Sequence, residues 1–183
     1  VGRGGGFGSI NLGRNTTSLF VNTLIFNAFG DSFGYSPSIR HYFTSGTVTG
    51  DTGWSNSVKY SSPKFGGASF TAHAAEAGAA GDGKNYGLSG LYFGGPLALG
   101  FAWESVKVGS SVADTKTWQL GASYDLKAVK LFGQYGKVDN SSTNNDYKIA
   151  GLGLSAPLGA GKALFQWGRI SPKTGSNRTT ISL

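Results

Sequence analysis

The chain has 183 residues, 16 Lys and Arg against 9 Asp and Glu for a net charge of +7, and neither cysteine nor methionine. The missing Cys excludes disulfides, thiolate nucleophiles and Cys-based zinc sites together, and no apolar run approaches the ~20 residues that a membrane-spanning helix needs. Glycine (31 residues) and aromatics (12 Phe, 8 Tyr, 4 Trp) are abundant and charged residues are only 14%, which disfavours helical bundles, where each Gly costs ~1 kcal/mol relative to Ala, and disorder, which is poor in aromatics.

In chain order, the first element is a Gly-rich strand near 6–14. The glycines at 2, 4, 5, 6 and 8 imitate a dinucleotide fingerprint, but no helix opens after them. From 15 to 53 there is no sustained alternation, only an apolar stretch from Leu19 to Phe29. A connection of that length in a compact domain is expected to be functional. A loop that folds into a barrel and narrows it, with a short helix against the inner wall, satisfies this.

Nine further strands are predicted near 54–62, 65–75, 84–94, 97–107, 116–126, 128–138, 146–156, 162–171 and 177–183, about ten in all. Their alternation is regular. Leu97, Leu99, Phe101 and Trp103 oppose Ala98, Gly100, Ala102 and Glu104; Trp118, Leu120, Ala122 and Tyr124 oppose Gln119, Gly121, Ser123 and Asp125. A strand sends these sets to opposite faces, one large and apolar, one small or polar. Trp54, Val58 and Tyr60 are assigned to one face against Ser55, Ser57 and Lys59. Ala163, Phe165 and Trp167 oppose Gln166 and Gly168. In 147–156 the large residues switch from odd (Tyr147, Ile149) to even (Leu152, Leu154) positions, which leaves open a bulge or a misjudged face.

Connections alternate in length. Those at 61–66, 94–96, 126–129 and 158–162 are short; those at 75–85, 107–116, 139–146 and 171–177 are longer and polar. Short turns at one end and long loops at the other, with ten-residue alternating segments, are the signature of a transmembrane β-barrel. Tyr60, Tyr92, Trp103 and Trp118 at strand ends suit interfacial girdles.

The other motifs fail on context. Gly78–Lys84 reads GAAGDGK, but Asn85 follows where a phosphate loop needs Ser or Thr, and a strand follows where it needs a helix. His41 and His73 form no metal constellation, and for His73, with Glu76 at the end of a strand, a surface or loop role is expected over a ligand pair. Gly30–Gly34 (GDSFG) fits the spelling G-x-S-x-G but lies within the 15–53 stretch and not at a strand-to-helix turn, as a nucleophile elbow requires, so no catalytic residue, metal or cofactor is expected. The sequons at 15–17, 140–142 and 177–179 are read as chance in a Ser/Thr/Asn-rich chain. The basic residues are spread along the sequence rather than gathered in a polybasic tail.

Phe7–Arg14 (FGSINLGR), Phe43–Gly46 (FTSG), Ser55–Pro63 (SNSVKYSSP), Phe65–Gly67 and the Gly-Pro-Leu turn at 95–97 together resemble the general diffusion porins of β-proteobacteria. The match is specific over 7–67 and rests mainly on pattern beyond. The resemblance implies an all-β, sixteen-stranded antiparallel barrel of the bacterial outer membrane, with the third external loop folded inside. It implies a homotrimer in contact with lipid bilayer and lipopolysaccharide, passing small anions and polar solutes and not binding nucleic acid. Aligning FGSINLGR with the family's fifth strand makes residues 1–183 a single barrel domain lacking four strands before and about two after. Related constriction loops often carry several carboxylates; 15–50 holds only Asp31.

The candidate pore-lining and constriction residues are Arg14, Asp31, Arg40, Lys59 and Lys130. Lys59 and Lys130 fall on the polar face of their strands, Arg14 ends the first strand where the family often has a pore arginine, and Arg40 lies in the long connection. Rings of Arg or Lys favour anions, so the expected function is passive diffusion with anion selectivity. The alternative is a soluble β-barrel or sandwich binding an anionic or sugar ligand, which requires the aromatic face to be internal. An enzyme on a membrane barrel needs a clustered Ser/His/acid set that the two His do not offer.

Overall fold

The computed structural model describes residues 2–44, 49, 52–76, 83–107 and 114–183. Most of the GAAGDGK motif (78–82) and Ser45–Gly46 of the FTSG element lie outside these residues. Eleven strands form one antiparallel sheet in strict sequence order. They are β1 Gly2–Gly5, β2 Gly8–Thr16, β3 Gly53–Ser61, β4 Ala68–Glu76, β5 Lys84–Gly94, β6 Leu97–Val106, β7 Thr115–Asp125, β8 Lys130–Asn140, β9 Tyr147–Leu158, β10 Gly161–Pro172 and β11 Arg178–Ser182. The count exceeds the ten expected by one, because Gly2–Gly5 pairs as a separate strand on β2 instead of opening it.

Every strand pairs with its neighbours in sequence, so the connections fall alternately at the two ends. Two of the tight ones, between β5 and β6 and between β9 and β10, are two-residue turns whose first residue is a glycine at positive φ, Gly95 (55°) and Gly159 (56°). A side chain there would meet the steric penalty of the left-handed region, which glycine escapes.

The two faces are inverted relative to a water-soluble barrel. Leu12, Val58, Leu88, Phe101, Leu120 and Leu152 are between 42% (Phe101) and 61% (Leu152) exposed, whereas Gln119, Gln166 and Glu104 are at most 2% exposed. Large apolar side chains therefore face outward and polar ones inward, which removes the soluble reading, since that needs the aromatic face inside. Trp103 and Trp118 are paired across β6 and β7, and Trp118 packs on Tyr135 at 5.7 Å. Tyr60 packs on Phe70 at 5.7 Å nearer the short-turn end. Leu99, Phe101 and Leu120 lie on the same face toward the short-turn side of Trp103 and Trp118.

Two local expectations change. The β2–β3 register shifts between Gly13 and Asn15, and Asn56 has a positive φ of 49°. This extra residue on β3 reverses the side-chain parity above it. Val58 stays outward, but Trp54 turns inward and stacks on His73 at 4.7 Å. His73 is accordingly buried in β4 instead of lying at a surface. In β9 the register with β8 and β10 is unbroken from Tyr147 to Ser155, so there is no bulge. Tyr147 and Ile149 face inward and pack with Val138 and Ile170 beneath the long connection.

That connection supplies α1 (Ser18–Ile25), the single turn α2 (Pro37–Ile39) and a π-helical turn, Arg40–Thr44. It crosses the inward face of the sheet, with α1 against β5, β6 and β7 and α2 against β9, β10 and β11. Leu19, Phe26, Ile39 and Tyr42 are fully buried there.

Candidate constriction site

The segment begins with a cap. Thr17 accepts a hydrogen bond from the Phe20 N–H (3.3 Å), and Glu104 of β6 accepts one from the Leu19 N–H at 2.9 Å. Both satisfy donors that a helix leaves unpaired in its first turn, and a carboxylate there also opposes the helix dipole favourably. The Thr17 N–H donates to Thr52 O at 2.9 Å, which ties the start of the segment to its end.

Three buried glutamines grip it from the wall. Gln119 of β7 accepts from Asn22 Nδ2 (2.6 Å) and donates to Thr23 Oγ1 (3.0 Å) and to Gln134 Oε1 (3.0 Å). Gln134 of β8 donates to Thr23 O at 3.0 Å. Gln166 of β10 accepts from the Ala28 N–H at 2.9 Å and donates to Ser38 Oγ at 2.6 Å. An amide supplies donor and acceptor together, so each can hold backbone and side-chain groups at once. On the far side His41 Nε2 lies 3.1 Å from Thr180 Oγ1 of β11, and His41 is buried in the long connection.

Two residues after each glutamine is a glycine: Gln119-Leu120-Gly121, Gln134-Tyr135-Gly136 and Gln166-Trp167-Gly168. A Cβ at Gly121 would collide with the Phe26 ring, one at Gly136 with the Tyr42 hydroxyl, and one at Gly168 with Pro37 and His41. The residue between points outward. The triplet thus places a grip and a recess on the inward face and an apolar group on the outward one. These are the residues that sequence reasoning missed, although the repeated Gln-x-Gly on three strands was a readable signal.

The predicted site residues are not gathered into one cluster. Lys59, on the inward row of β3, stands beside α1: its Nζ donates to Thr16 O at 2.8 Å, and it lines a cavity of about 40 Å³ with Ser18, Asn22, Thr71 and Ser89. Arg14 lies in the adjoining strand at the register shift, exposed, with Nη1 3.3 Å from Ser55 Oγ. Asp31 is exposed in the turn region between α1 and α2, and Arg40 is exposed at the start of the π-helical turn. Lys130 opens β8 at the short-turn end, its Nζ 5.3 Å from the Phe132 ring centroid. It is four residues below Gln134, about 13 Å along the strand at ~3.3 Å per residue.

A model describing Gram-negative porins matches residues 1–183. The chain belongs to the Gram-negative porin family. Its place is therefore the bacterial outer membrane. Among solved structures this porin is similar to an anion-selective porin from Comamonas acidovorans, with a TM-score of 0.80, 22% identity, and coverage of 97% of this chain and 58% of that one. It is also similar to a loop L8 deletion mutant of OmpT, an outer membrane protein of Vibrio cholerae, with a TM-score of 0.66, 14% identity, and coverage of 96% and 63%. The chain thus spans less than two thirds of either structure's length. No curated protein matches it. A hollow of about 700 Å³ lies on the outward face between Tyr92, Phe101, Leu120 and Tyr135, away from the constriction segment.

Proposed function

We propose that the chain forms much of the wall, and the constriction, of a water-filled channel through which small hydrophilic solutes and ions diffuse passively, with a preference for anions. The carrying observation is the long segment held across a polar inward face by Gln119, Gln134 and Gln166 while the outward face is apolar. Nothing in such a passage needs covalent chemistry; size and fixed charge select.

The preference for anions rests on the balance of charge along the passage. Lys59 lines the cavity beside α1, Arg14 lies near the end of β2 and Arg40 at the start of the π-helical turn, and Lys130 opens β8 at the short-turn end, against Asp31 as the one carboxylate of the 15–50 stretch. A positive wall raises the local anion concentration and is screened within ~10 Å at 0.1 M salt. The similarity to a porin described as anion-selective agrees with this. Among the described residues the two outer strands, β1 and β11, each pair on one side only. We infer that residues 1–183 are part of one barrel domain, sixteen-stranded when complete, that works as a homotrimer in a lipopolysaccharide-containing membrane.

The test is the reversal potential of the full-length protein in a planar bilayer under a salt gradient. Anion selectivity that is lost or inverted in the triple variant R14Q/K59Q/K130Q is the expected outcome. A conducting but cation-selective wild type would refute the charge filter and keep the channel. Folded protein without conductance would refute the channel itself.

A further inference from the structure

Glycines on the inward and outward faces of the wall have different surroundings. Gly90 faces outward with nothing within 4 Å of where a Cβ would stand, and Gly133 has only the end of Leu152 at 3.8 Å. Inward, Gly100 and Gly121 are directly paired across β6 and β7. A Cβ on Gly100 would overlap both the Asn22 amide oxygen and the Phe26 ring, and one on Gly121 would overlap that ring. Ala98, Ala102 and Ser123, all buried, are their inward neighbours along the two strands. On β6 and β7 the wall under α1 is thus a shallow trough with no side chain larger than a methyl or hydroxymethyl until Gln119 and Glu104, bordered on β5 by Leu91 and on β8 by Gln134.

We propose that the Gly100–Gly121 pair, with Phe26 seated in it, determines how far the constriction segment stands out from the wall, and so sets the bore of the channel and its size cut-off. The inference rests on the channel reading above. The argument is geometric. Phe26 is fully buried and sits one turn after Asn22, which is bonded to Gln119. The ring and the amide therefore share one anchorage, and the helix cannot lift at one without straining the other. Interiors that are close-packed accept an added methyl only by displacing a neighbour. Here the wall is a continuous ladder of backbone hydrogen bonds, whereas the segment borders the lumen, so the segment moves. Gly136 under Tyr42 and Gly168 under Pro37 and His41 repeat the device at the other end of the segment. The two ends are consequently set to the same depth. Lys59, which lines the cavity beside α1, keeps its distance to the opposite side of the passage only while this depth holds.

The experiment is single-channel recording and liposome swelling with a graded series of neutral sugars, on full-length wild type, G121A, G121A/F26A and G90A. G121A is expected to conduct roughly 1.5-fold less, because flow through a constriction follows its open cross-section, and to exclude the largest sugars that wild type admits. In G121A/F26A the overlap with the ring is gone and only the Cβ of residue 26 stays close, at 2.9 Å, so conductance and cut-off return most of the way to wild-type values. G90A, on the outward face, stays at wild type. If G121A does not assemble but G121A/F26A does, with conductance near that of wild type, the collision with Phe26 is still demonstrated. A folded G121A with wild-type conductance and cut-off overturns the proposal, as does a double variant that stays narrow. A folded wild type that conducts nothing overturns the channel reading and this proposal with it.

Discussion

Gln119 shows what a single side chain is asked to do here. Its amide accepts from Asn22 and donates to Thr23 and Gln134, with no exposure to solvent. Replacing it by Leu preserves the volume and strands the Asn22 Nδ2 donor and the Gln134 Oε1 acceptor. A buried polar group without a partner costs ~1–3 kcal/mol. Q119L is therefore expected to lower the thermal transition of the folded barrel in detergent; an unchanged transition would mean that lumen water takes over the lost bonds. His41 gives a pH dependence. Its burial, with Arg178 and Arg40 nearby, holds its pKa down at about 4 against an ordinary 6.5. The folded state thus keeps this imidazole neutral where the unfolded chain would protonate it. The contribution to stability is complete above pH 6.5 and is lost as pH falls from 6.5 toward 4. Thermal stability of H41Q should show a shallower decline over that window than wild type, and equal slopes would assign the acid sensitivity elsewhere.

At the scale of the element, strands were legible because period-two alternation survives wherever one face is apolar. Leu97–Trp103 and Trp118–Tyr124 announce themselves, and the short and long connections follow from them. What stayed hidden was whatever depends on a partner distant in sequence. Trp54 has the parity of Val58 and Tyr60, and only the extra residue at 55–56 turns it inward onto His73. Tyr147 and Ile149 look out of phase because the long segment covers that part of the lumen with apolar side chains of its own, Leu19 and Tyr42. The glutamines read as merely polar, since nothing local says that water is replaced there by Asn22, Thr23 and Ala28. The Gln-x-Gly triplets carried that information, visible only once three strands are laid side by side. Among the proposed charges, alternation put Lys59 and Lys130 on the inward rows, but the depth of each along its strand needed the register.

For the whole molecule, the inverted distribution of side chains decides the environment. Leu120 is about half exposed in the middle of the outward face. An arginine at the midplane of a barrel's lipid face costs ~2–4 kcal/mol, so L120R should reduce the yield of folded protein in lipid vesicles, read as heat-modifiable mobility on a gel. Folding equal to wild type would mean that this face does not meet hydrocarbon. The tie between the Thr17 N–H and Thr52 O has a different kind of consequence. The excursion leaves β2 and returns to β3 at one point, so the ladder on either side is indifferent to what is strung between. The surface uncovered by removing the excursion would be amides, hydroxyls and glycines under much of its length, with one apolar patch around Val138, Ile149 and Ile170. Filter and conduit are in this sense separate parts: a lineage can exchange the sieve while keeping the pipe, and a permeability can change in one step without the barrel having to be reinvented.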